Sequence, residues 1–189
     1  MLRSLLRKIK PDRRVSLLRL LPDNAVCAEI GVWQGAFSKL IVKETNPKSL
    51  HLIDPWKFQQ GYPDRWYGGT KARNQADMDS IYEGVVAHFA GNDSVVFHRE
   101  FSHEAADQFD NDYFDWVYVD GDHSYEYVMT ELELYRPKVK MQGFIAGDDY
   151  NWAPSQNYPV KRAVDEFVEA GHAEVVQIQN HSFLLRRTD

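Results

Sequence analysis

Acidic residues follow two of the strands that the sequence predicts. Each strand is a short apolar segment containing aromatic and β-branched residues, and it ends where the carboxylates begin. The residues concerned are Asp120 and Asp122 after the strand at 113–119, and Asp148 and Asp149 after the strand at 143–146. Because ligands bind at the carboxyl ends of the strands in an open α/β sheet, we expect these four carboxylates to share one edge.

Carboxylates that share one edge repel one another unless a cation lies among them. Oxygen ligands suit a hard cation, a description that fits Mg²⁺, Mn²⁺ and Ca²⁺. A simpler interpretation is that these residues are solvated turn formers, since Asp-Gly is a common turn dipeptide. Two acidic clusters at two strand ends favour the metal site.

A glycine turn begins the set of elements that would position these residues. Residues 25–30 predict a short buried strand, Gly31 and Gly35 follow it, and residues 36–44 have the apolar spacing of a helix. A strand, a glycine turn and a helix form the nucleotide-binding opening of a doubly wound fold. Glycines there let the backbone approach a ligand closely.

An acidic residue ends the second predicted strand, at 49–53. This residue, Asp54, is placed to accept hydrogen bonds from a ribose diol. Together with Glu29, Gly31 and Gly35, it indicates an adenosine-containing cofactor.

Helices and strands alternate through the rest of the chain until a final pair of strands. Further helices are predicted at 81–89, 102–109, 125–135 and 158–170, and further strands at 94–98, 173–178 and 182–185. The sequence therefore predicts an α/β fold with a doubly wound, Rossmann-like sheet of seven strands. The sheet is mostly parallel, with one antiparallel strand in a C-terminal hairpin and helices on both faces.

The chain length suits one domain, which we place at residues 23–189. Residues 1–22 predict a helical cap of two short amphipathic helices broken at Pro11, with a solvated basic face; contact with a membrane surface is an alternative. Residues 55–78 have no regular period and hold five Trp, Tyr and Phe residues, which is typical of a lid. The N-terminal helices or the lid could serve a homodimer.

Composition limits the classes of function. The formal net charge is -6, and the basic residues concentrate near the N-terminus, so the acidic body argues against a nucleic-acid partner. No apolar run is long enough to span a bilayer. The single cysteine, Cys27, lies within a predicted strand and is expected to be a buried core thiol, which fits a cytoplasmic protein.

The chain resembles the class I S-adenosylmethionine (SAM)-dependent methyltransferases. These enzymes share a glycine turn after the first strand, an acid after the second and a final antiparallel hairpin. Within that class, AEIGVWQG at 28–35, VDGDHSY at 119–125 and GDD at 147–149 are similar to motifs of the small metal-dependent O-methyltransferases. The macrocin (sugar) type is most similar and the catechol type more distant, and the resemblance covers roughly residues 17–185.

The resemblance implies roles for individual residues. It implies that Mg²⁺ is bound by Asp120, Asp148 and Asp149. The residues implied to bind SAM are Glu29, Gly31, Trp33, Gly35, Asp54, Ser102 and Asp120. Trp33 stands where the usual turn of the class has its middle glycine. Ser102 is expected to be the N-cap of its helix and to lie near the adenine.

The residues implied to be catalytic are Asp122 and His123. Asp122 matches the position of the base in macrocin-type enzymes, and His123 matches the position of the lysine base in catechol-type enzymes. Asp122 requires a pKa raised by burial or by neighbouring carboxylates, whereas His123 titrates near neutrality without help. We favour Asp122, with His123 orienting the substrate, acting as an alternative base or bonding to the loop backbone.

The function implied is Mg²⁺-dependent methylation of a hydroxyl on a small molecule, such as a vicinal diol of a sugar or natural product. One alternative is an NAD-dependent oxidoreductase, although the G-x-G-x-x-G fingerprint of that class is absent. A non-catalytic or hydroxylase-like member of the same fold is another.

Overall fold

The computed structural model describes residues 12–189, which form one seven-stranded sheet with helices packed around it. The strands are β1 (Val26–Ile30), β2 (Ser49–Ile53), β3 (Val95–His98), β4 (Phe114–Val119), β5 (Val139–Gly147), β6 (Ala173–Gln179) and β7 (Ser182–Arg187). The helices are α1 (Val15–Leu18), α2 (Ala36–Thr45), α3 (Gln75–His88), α4 (Ser102–Ala106), α5 (Tyr125–Tyr135) and α6 (Pro159–Glu169). A π-helical turn (Trp66–Thr70) and two 3₁₀ turns (Arg136–Lys138 and Pro154–Gln156) complete the regular elements of this part of the chain.

The order of the strands confirms the predicted fold. It is β3-β2-β1-β4-β5-β7-β6, with parallel pairing from β3 to β5 and antiparallel pairing of β7 with both of its neighbours. The strand order reverses at β1, where Ala28 pairs with His51 on one side and Val117 on the other. A doubly wound sheet binds its ligands at such a reversal.

Side chains alternate along β4 and divide the core into two layers. Val117 and Val119 pack with the apolar faces of α4, α5 and α6, whereas Trp116 and Tyr118 pack with α1, α2 and α3. Because both faces of the sheet are covered, the central strands are mostly apolar, with Glu29 in β1, His51 in β2 and Asp115 in β4 among the polar exceptions. Cys27 is fully buried, as expected.

Several predicted boundaries were wrong. Helix α3 begins at Gln75, not at residue 81, because the Asn74 side chain accepts the backbone N–H of Asp77 and caps it. Strand β5 begins at Val139, four residues before its predicted start. Ser102 is the first residue of α4 and Phe101 is its N-cap, so the predicted capping role of Ser102 is not observed.

The described part of the N-terminal region contains α1, where Leu17 and Leu18 are buried in the layer that contains α2. The first of the two predicted cap helices lies outside the described residues. In residues 12–189, no helix is both long and apolar enough to cross a bilayer.

Candidate functional site

The carboxyl ends of the parallel strands open into a cleft of about 960 Å³. Its walls come from the turns after β1, β2, β3, β4 and β5, from the predicted lid at residues 55–78 and from residues 12–14. Of the predicted site residues, the cleft is lined by Glu29, Gly31, Trp33, Asp54, Ser102, Asp120, Asp122, His123, Asp148 and Asp149. Gly35 is not part of this lining; it has a φ of 69° and occupies the N-cap position of α2.

Gly31 lets the first turn pass close to the end of β4. Its φ is 89°, and a Cβ built on it would lie 2.2 Å from the carbonyl oxygen of Asp120. A larger residue would separate the two strand ends, so the requirement for glycine here is both conformational and steric.

Asp54 holds the same turn in place. Its carboxylate accepts the backbone N–H groups of Val32 (3.0 Å), Trp33 (2.9 Å) and Trp56 (2.7 Å). Burial raises the pKa of Asp54, although these three hydrogen bonds act in the opposite direction. Asp54 therefore has a structural role in addition to the ribose contact predicted for it.

Trp33 adopts the left-handed backbone conformation that usually favours glycine, with a φ of 54°. Its carbonyl oxygen accepts the indole N–H of Trp56 at 2.8 Å. Its ring lies 5.6 Å from the ring of Trp66 in the lid. Trp33 thus keeps the turn conformation of a glycine and adds an aromatic wall to the cleft.

Glu29 is a fully buried carboxyl group at the end of β1. Its Oε2 accepts the hydroxyl of Ser38 at 2.5 Å, while its Oε1 has no hydrogen-bond partner among the residues described. Burial raises the pKa of Glu29 well above its ordinary value. An unpartnered buried carboxylate oxygen suits a cationic donor such as an ammonium group.

Asp120, His123 and Asp149 bring one ligand atom each to within 4.8 Å of one another. The His123 Nε2 lies 3.6 Å from Asp120 and 3.5 Å from Asp149, and it is buried without a hydrogen-bond partner in the described structure. Burial would lower the pKa of His123, but the nearby carboxylates outweigh burial and raise it. The two carboxylates suit a hard divalent cation such as Mg²⁺ or Mn²⁺, whereas an imidazole ligand is more typical of Zn²⁺ or Fe²⁺.

Asp148 lies beside this group but already has partners. Its Oδ2 accepts the guanidinium of Arg13 at 2.8 Å, and its Oδ1 accepts the hydroxyl of Ser182 at 3.0 Å. Of the predicted ligand set, Asp120 and Asp149 are brought together, whereas Asp148 is paired with Arg13, which also lies near Asp149.

Two arginines of the N-terminal segment contact the acidic rim, which consists of Asp120, Asp148 and Asp149. Arg13 lies 2.8 Å from Asp148 and 3.7 Å from Asp149, and Arg14 lies 3.5 Å from Asp120. The expectation that the basic face of this segment is solvated is wrong for Arg14, whose side chain is only 18% exposed. Sequence reasoning missed these residues, and the concentration of basic residues near the N-terminus was the signal available.

Asp122 is bound by the lid. Its Oδ2 accepts the hydroxyl of Tyr67 at 2.6 Å, its Oδ1 accepts the backbone N–H of Ser124 at 2.8 Å, and Arg65 lies 3.7 Å away. Burial would raise the pKa of Asp122, but these partners outweigh burial and lower it. The raised pKa that a catalytic role for Asp122 requires is therefore not observed.

The lid crosses the cleft from the end of β2 to the loops after β4 and β5. Besides binding Asp122, Arg65 lies 5.3 Å from the centre of the Trp152 ring. Gly68 packs so closely on the loop that a Cβ built on it would lie 1.9 Å from the carbonyl oxygen of Tyr62. Trp66 is 55% exposed, Tyr62 is 41% exposed, and both line the cleft, so the aromatic lid has two rings available for a ligand.

Ser102 contacts a buried acid that sequence reasoning did not identify. Its hydroxyl donates to Glu131 Oε1 at 2.8 Å, and burial raises the pKa of Glu131 to about 8. The side chain of Glu131 also lies against Gly121, at the turn after β4. Glu131 thus links the wall formed by Ser102 to the turn that carries Asp120 and Asp122.

The family match decides the class of protein. The family described as "Methyltransferase domain" matches residues 28–150, more than half of the chain. The chain belongs to this methyltransferase family. The match spans the glycine turn, the lid and all of the acidic residues at the edge of the sheet.

A relative and three solved structures are similar to this methyltransferase. An uncharacterised protein of Acanthamoeba polyphaga mimivirus is 24% identical over 157 residues, which is 79% of this chain and 63% of that protein. The chain thus spans less than two thirds of the length of that relative. A proposed caffeoyl-CoA O-methyltransferase from Staphylococcus aureus has a TM-score of 0.63 and 13% identity, covering 93% of this chain and 80% of its own.

The O-methyltransferase NovP has a TM-score of 0.61 and 18% identity, covering 94% of this chain and 80% of its own. A proposed methyltransferase from Streptococcus mutans, solved in complex with S-adenosylhomocysteine (SAH), has a TM-score of 0.60 and 10% identity. It covers 92% of this chain and 94% of its own. At these identities, the structures show that the fold is that of the SAM-dependent methyltransferases.

Proposed function

We propose that this methyltransferase transfers the methyl group of SAM to a hydroxyl of a small molecule, such as a vicinal diol of a sugar or natural product, with Mg²⁺ at the acidic rim. One observation carries the proposal. A single cleft contains both the buried Glu29 beside the glycine turn and the carboxylates of Asp120 and Asp149 beside His123. The first group suits the charged end of SAM, and the second suits a cation that binds hydroxyl oxygens.

The chain's residues would divide the work of binding between them. Glu29 would accept the ammonium group of SAM, and the turn held by Asp54 would bring the backbone close to the cofactor. Asp120 and Asp149 would hold Mg²⁺, with Asp148 as a third ligand if Arg13 releases it, which leaves the Nε2 of His123 free. Mg²⁺, when bound, lowers the pKa of an acceptor hydroxyl.

The lid and the rings near it would exclude water and orient the acceptor. Trp33, Trp66 and Trp152 line the same cleft as the acidic rim. Aromatic faces suit the apolar face of a sugar ring or a flat phenolic ring. Alignment of the hydroxyl with the methyl group is the main contribution that such a site makes to the rate.

The acceptor hydroxyl must also lose a proton, and two residues are candidate bases. Asp122 already accepts hydrogen bonds on both oxygens, from Tyr67 and Ser124. The buried Nε2 of His123 lacks such a partner in the described structure, which supports His123 as the base. Under this proposal, Asp122 positions the lid and does not take the proton.

Titration of SAH into the protein by calorimetry, with and without Mg²⁺, tests the proposal. We expect SAH binding to survive in Asp148→Ala and Mg²⁺ binding to weaken strongly. Asp110→Ala, at an exposed acidic residue, is the matched control and should change neither. Absence of SAH binding under all conditions would refute the methyltransferase proposal, and SAH binding without any Mg²⁺ effect would refute only the metal.

Transfer of a labelled methyl group to a panel of sugars and catechols then tests the acceptor and the base. His123→Gln is expected to abolish turnover while SAH still binds. Asp122→Asn is expected to keep measurable turnover with a raised KM for the acceptor. The reverse result would restore Asp122 as the base.

A further inference from the structure

The charged end of SAM carries an ammonium group and a carboxylate, and this structure offers a partner of opposite charge for each. Glu29 supplies an unpartnered carboxylate oxygen beside the glycine turn, which suits the ammonium group. The carboxylate requires N–H donors, and a guanidinium group provides them in a planar fork. This inference rests on the proposed function, because it concerns the same cofactor.

Arg14 is the arginine held in the deepest contact with the protein in this part of the cleft. Its Nε and Nη2 donate to the two oxygens of Asp12 at 3.1 and 3.0 Å. Its Nη1 lies 3.5 Å from Asp120, and its guanidinium carbon lies 4.2 Å from the centre of the Phe37 ring. A guanidinium has five N–H donors, so this arrangement fixes the group and leaves donors for a further acceptor.

Lys57 also lines the cleft, where its Nζ lies 5.4 Å from the centre of the Phe101 ring. The two other arginines that line the cleft are paired with carboxylates away from Glu29. Arg13 is paired with Asp148 and Asp149 on the rim. Arg65 is paired with Asp122 and lies on Trp152 in the lid.

Arg14 also belongs to the same end of the cleft as Glu29. Burial is the main influence on the pKa of Glu29, and Arg14 is a cation whose charge opposes it. The two side chains are therefore within electrostatic reach of each other. Phe37, under the guanidinium, is in the first turn of α2, directly after the glycine turn.

We propose that Arg14 binds the carboxylate of the methionine-derived end of SAM, opposite the Glu29 carboxylate that accepts the ammonium group. Residues 12–14 thereby form part of the cofactor site, and Asp12 positions the guanidinium. The contribution of Arg14 to affinity therefore depends on the presence of the cofactor's carboxylate.

Calorimetry with two ligands tests this dependence. SAH carries the carboxylate, and decarboxylated SAH keeps the adenosine, the sulfur and the amine but lacks it. Arg14→Gln should weaken SAH binding about 10- to 100-fold, the range for one hydrogen-bonded ion pair, and leave binding of decarboxylated SAH essentially unchanged. Arg14→Lys keeps the charge without the fork and should give a smaller loss, again confined to SAH.

Two control variants separate this role from a structural one. Arg19→Ala removes an exposed arginine of the same segment, paired with Glu44, and should bind both ligands like the wild type. Asp12→Asn weakens the anchor of the guanidinium and should reduce SAH binding less than Arg14→Gln does.

The inference is overturned if Arg14→Gln weakens both ligands equally, or neither, while thermal melting shows that it is folded. If Arg14→Gln does not fold, the comparison of the two ligands in Arg14→Lys decides by the same criterion. Failure of the wild type to bind SAH would instead refute the proposed function.

Discussion

Gly31→Ala tests the claim that the first glycine turn is shaped by its contact with the end of β4. The added Cβ would lie 2.2 Å from the Asp120 carbonyl oxygen and 2.6 Å from the Cα of Gly121, whereas ordinary contact begins at 3.4 Å. Because the nearest atoms belong to the backbone, they cannot rotate away. The two strand ends would have to separate by about 1 Å.

The cost has two parts. An alanine at a φ of 89° costs about 1–2 kcal/mol in backbone strain, partly offset by about 0.4–1 kcal/mol from the stiffer unfolded chain. Forcing extra volume into a packed contact adds about 1–3 kcal/mol. We therefore expect Gly31→Ala to lower the free energy of unfolding by about 2–4 kcal/mol, which leaves a domain of ordinary stability folded.

Gly91→Ala is the matched control. Gly91 has a similar φ of 82°, but a Cβ built on it would meet no atom within 4 Å. Urea unfolding should show a loss of about 1 kcal/mol or less for this variant, so the difference between the two variants measures the contact alone. Calorimetry should also show weaker SAH binding for Gly31→Ala only. Equal unfolding free energies for the two variants would refute the steric argument.

Three further predictions concern the rim, the lid and the core. Arg13→Ala should raise Mg²⁺ affinity about 2- to 5-fold by calorimetry, since it removes a half-exposed competitor for Asp148; unchanged affinity would contradict the competition. Tyr67→Phe removes a hydrogen bond to the Asp122 carboxylate worth about 1.5–3 kcal/mol, so trypsin should cut the lid at least about tenfold faster. An unchanged rate would show that this hydrogen bond does not hold the lid in place. Burial, together with the nearby charge of His98, lowers the pKa of His51 to about 4, below its unfolded value of 6.5. The contribution of neutral His51 to the free energy of unfolding is therefore complete above about pH 6.5 and is lost as the pH falls towards 4. Urea unfolding at about pH 7.5 and pH 5 should show that the free energy of unfolding falls by about 2 kcal/mol less in His51→Gln than in the wild type. An equal fall in the two proteins would exclude His51 as a source of this pH dependence.

The sequence was sufficient to predict the sheet and the edge of the sheet that carries the acidic residues. Strand β4 is apolar from Trp116 to Val119 because this part is covered on both faces, and such a run is recognisable without knowledge of its partners. Parallel strands end at a common edge, so Asp120 and Asp149 had to lie near each other once both strands were identified. The start of α3 was missed because its first six residues (QADMDS) alternate polar and apolar side chains without a helical period, and its cap, Asn74, lies in a segment with no regular period.

The environment of each site residue depends on contacts that sequence patterns do not contain. Tyr67 and Asp122 are 55 positions apart, and their hydrogen bond changes the interpretation of Asp122 from a base to an anchor for the lid. Arg13 and Asp148 are 135 positions apart. Neither separation corresponds to a helical or strand period, so only the folded chain identifies the partners.

Binding of a metal ion at the acidic rim and docking of residues 12–14 on that rim are coupled, because both use Asp148. Asp148 accepts Arg13 with one oxygen and Ser182 with the other, so a metal ion that recruits Asp148 must displace one of these donors. Arg13 is the easier of the two to displace, because its side chain is 43% exposed whereas Ser182 is buried in β7. By linkage, the factor by which the Arg13 ion pair lowers the metal affinity equals the factor by which bound metal weakens the ion pair of Arg13 with Asp148. Since Arg14 follows Arg13 directly and contacts Asp120, metal binding at the rim and cofactor binding beside Glu29 should influence each other through residues 12–14.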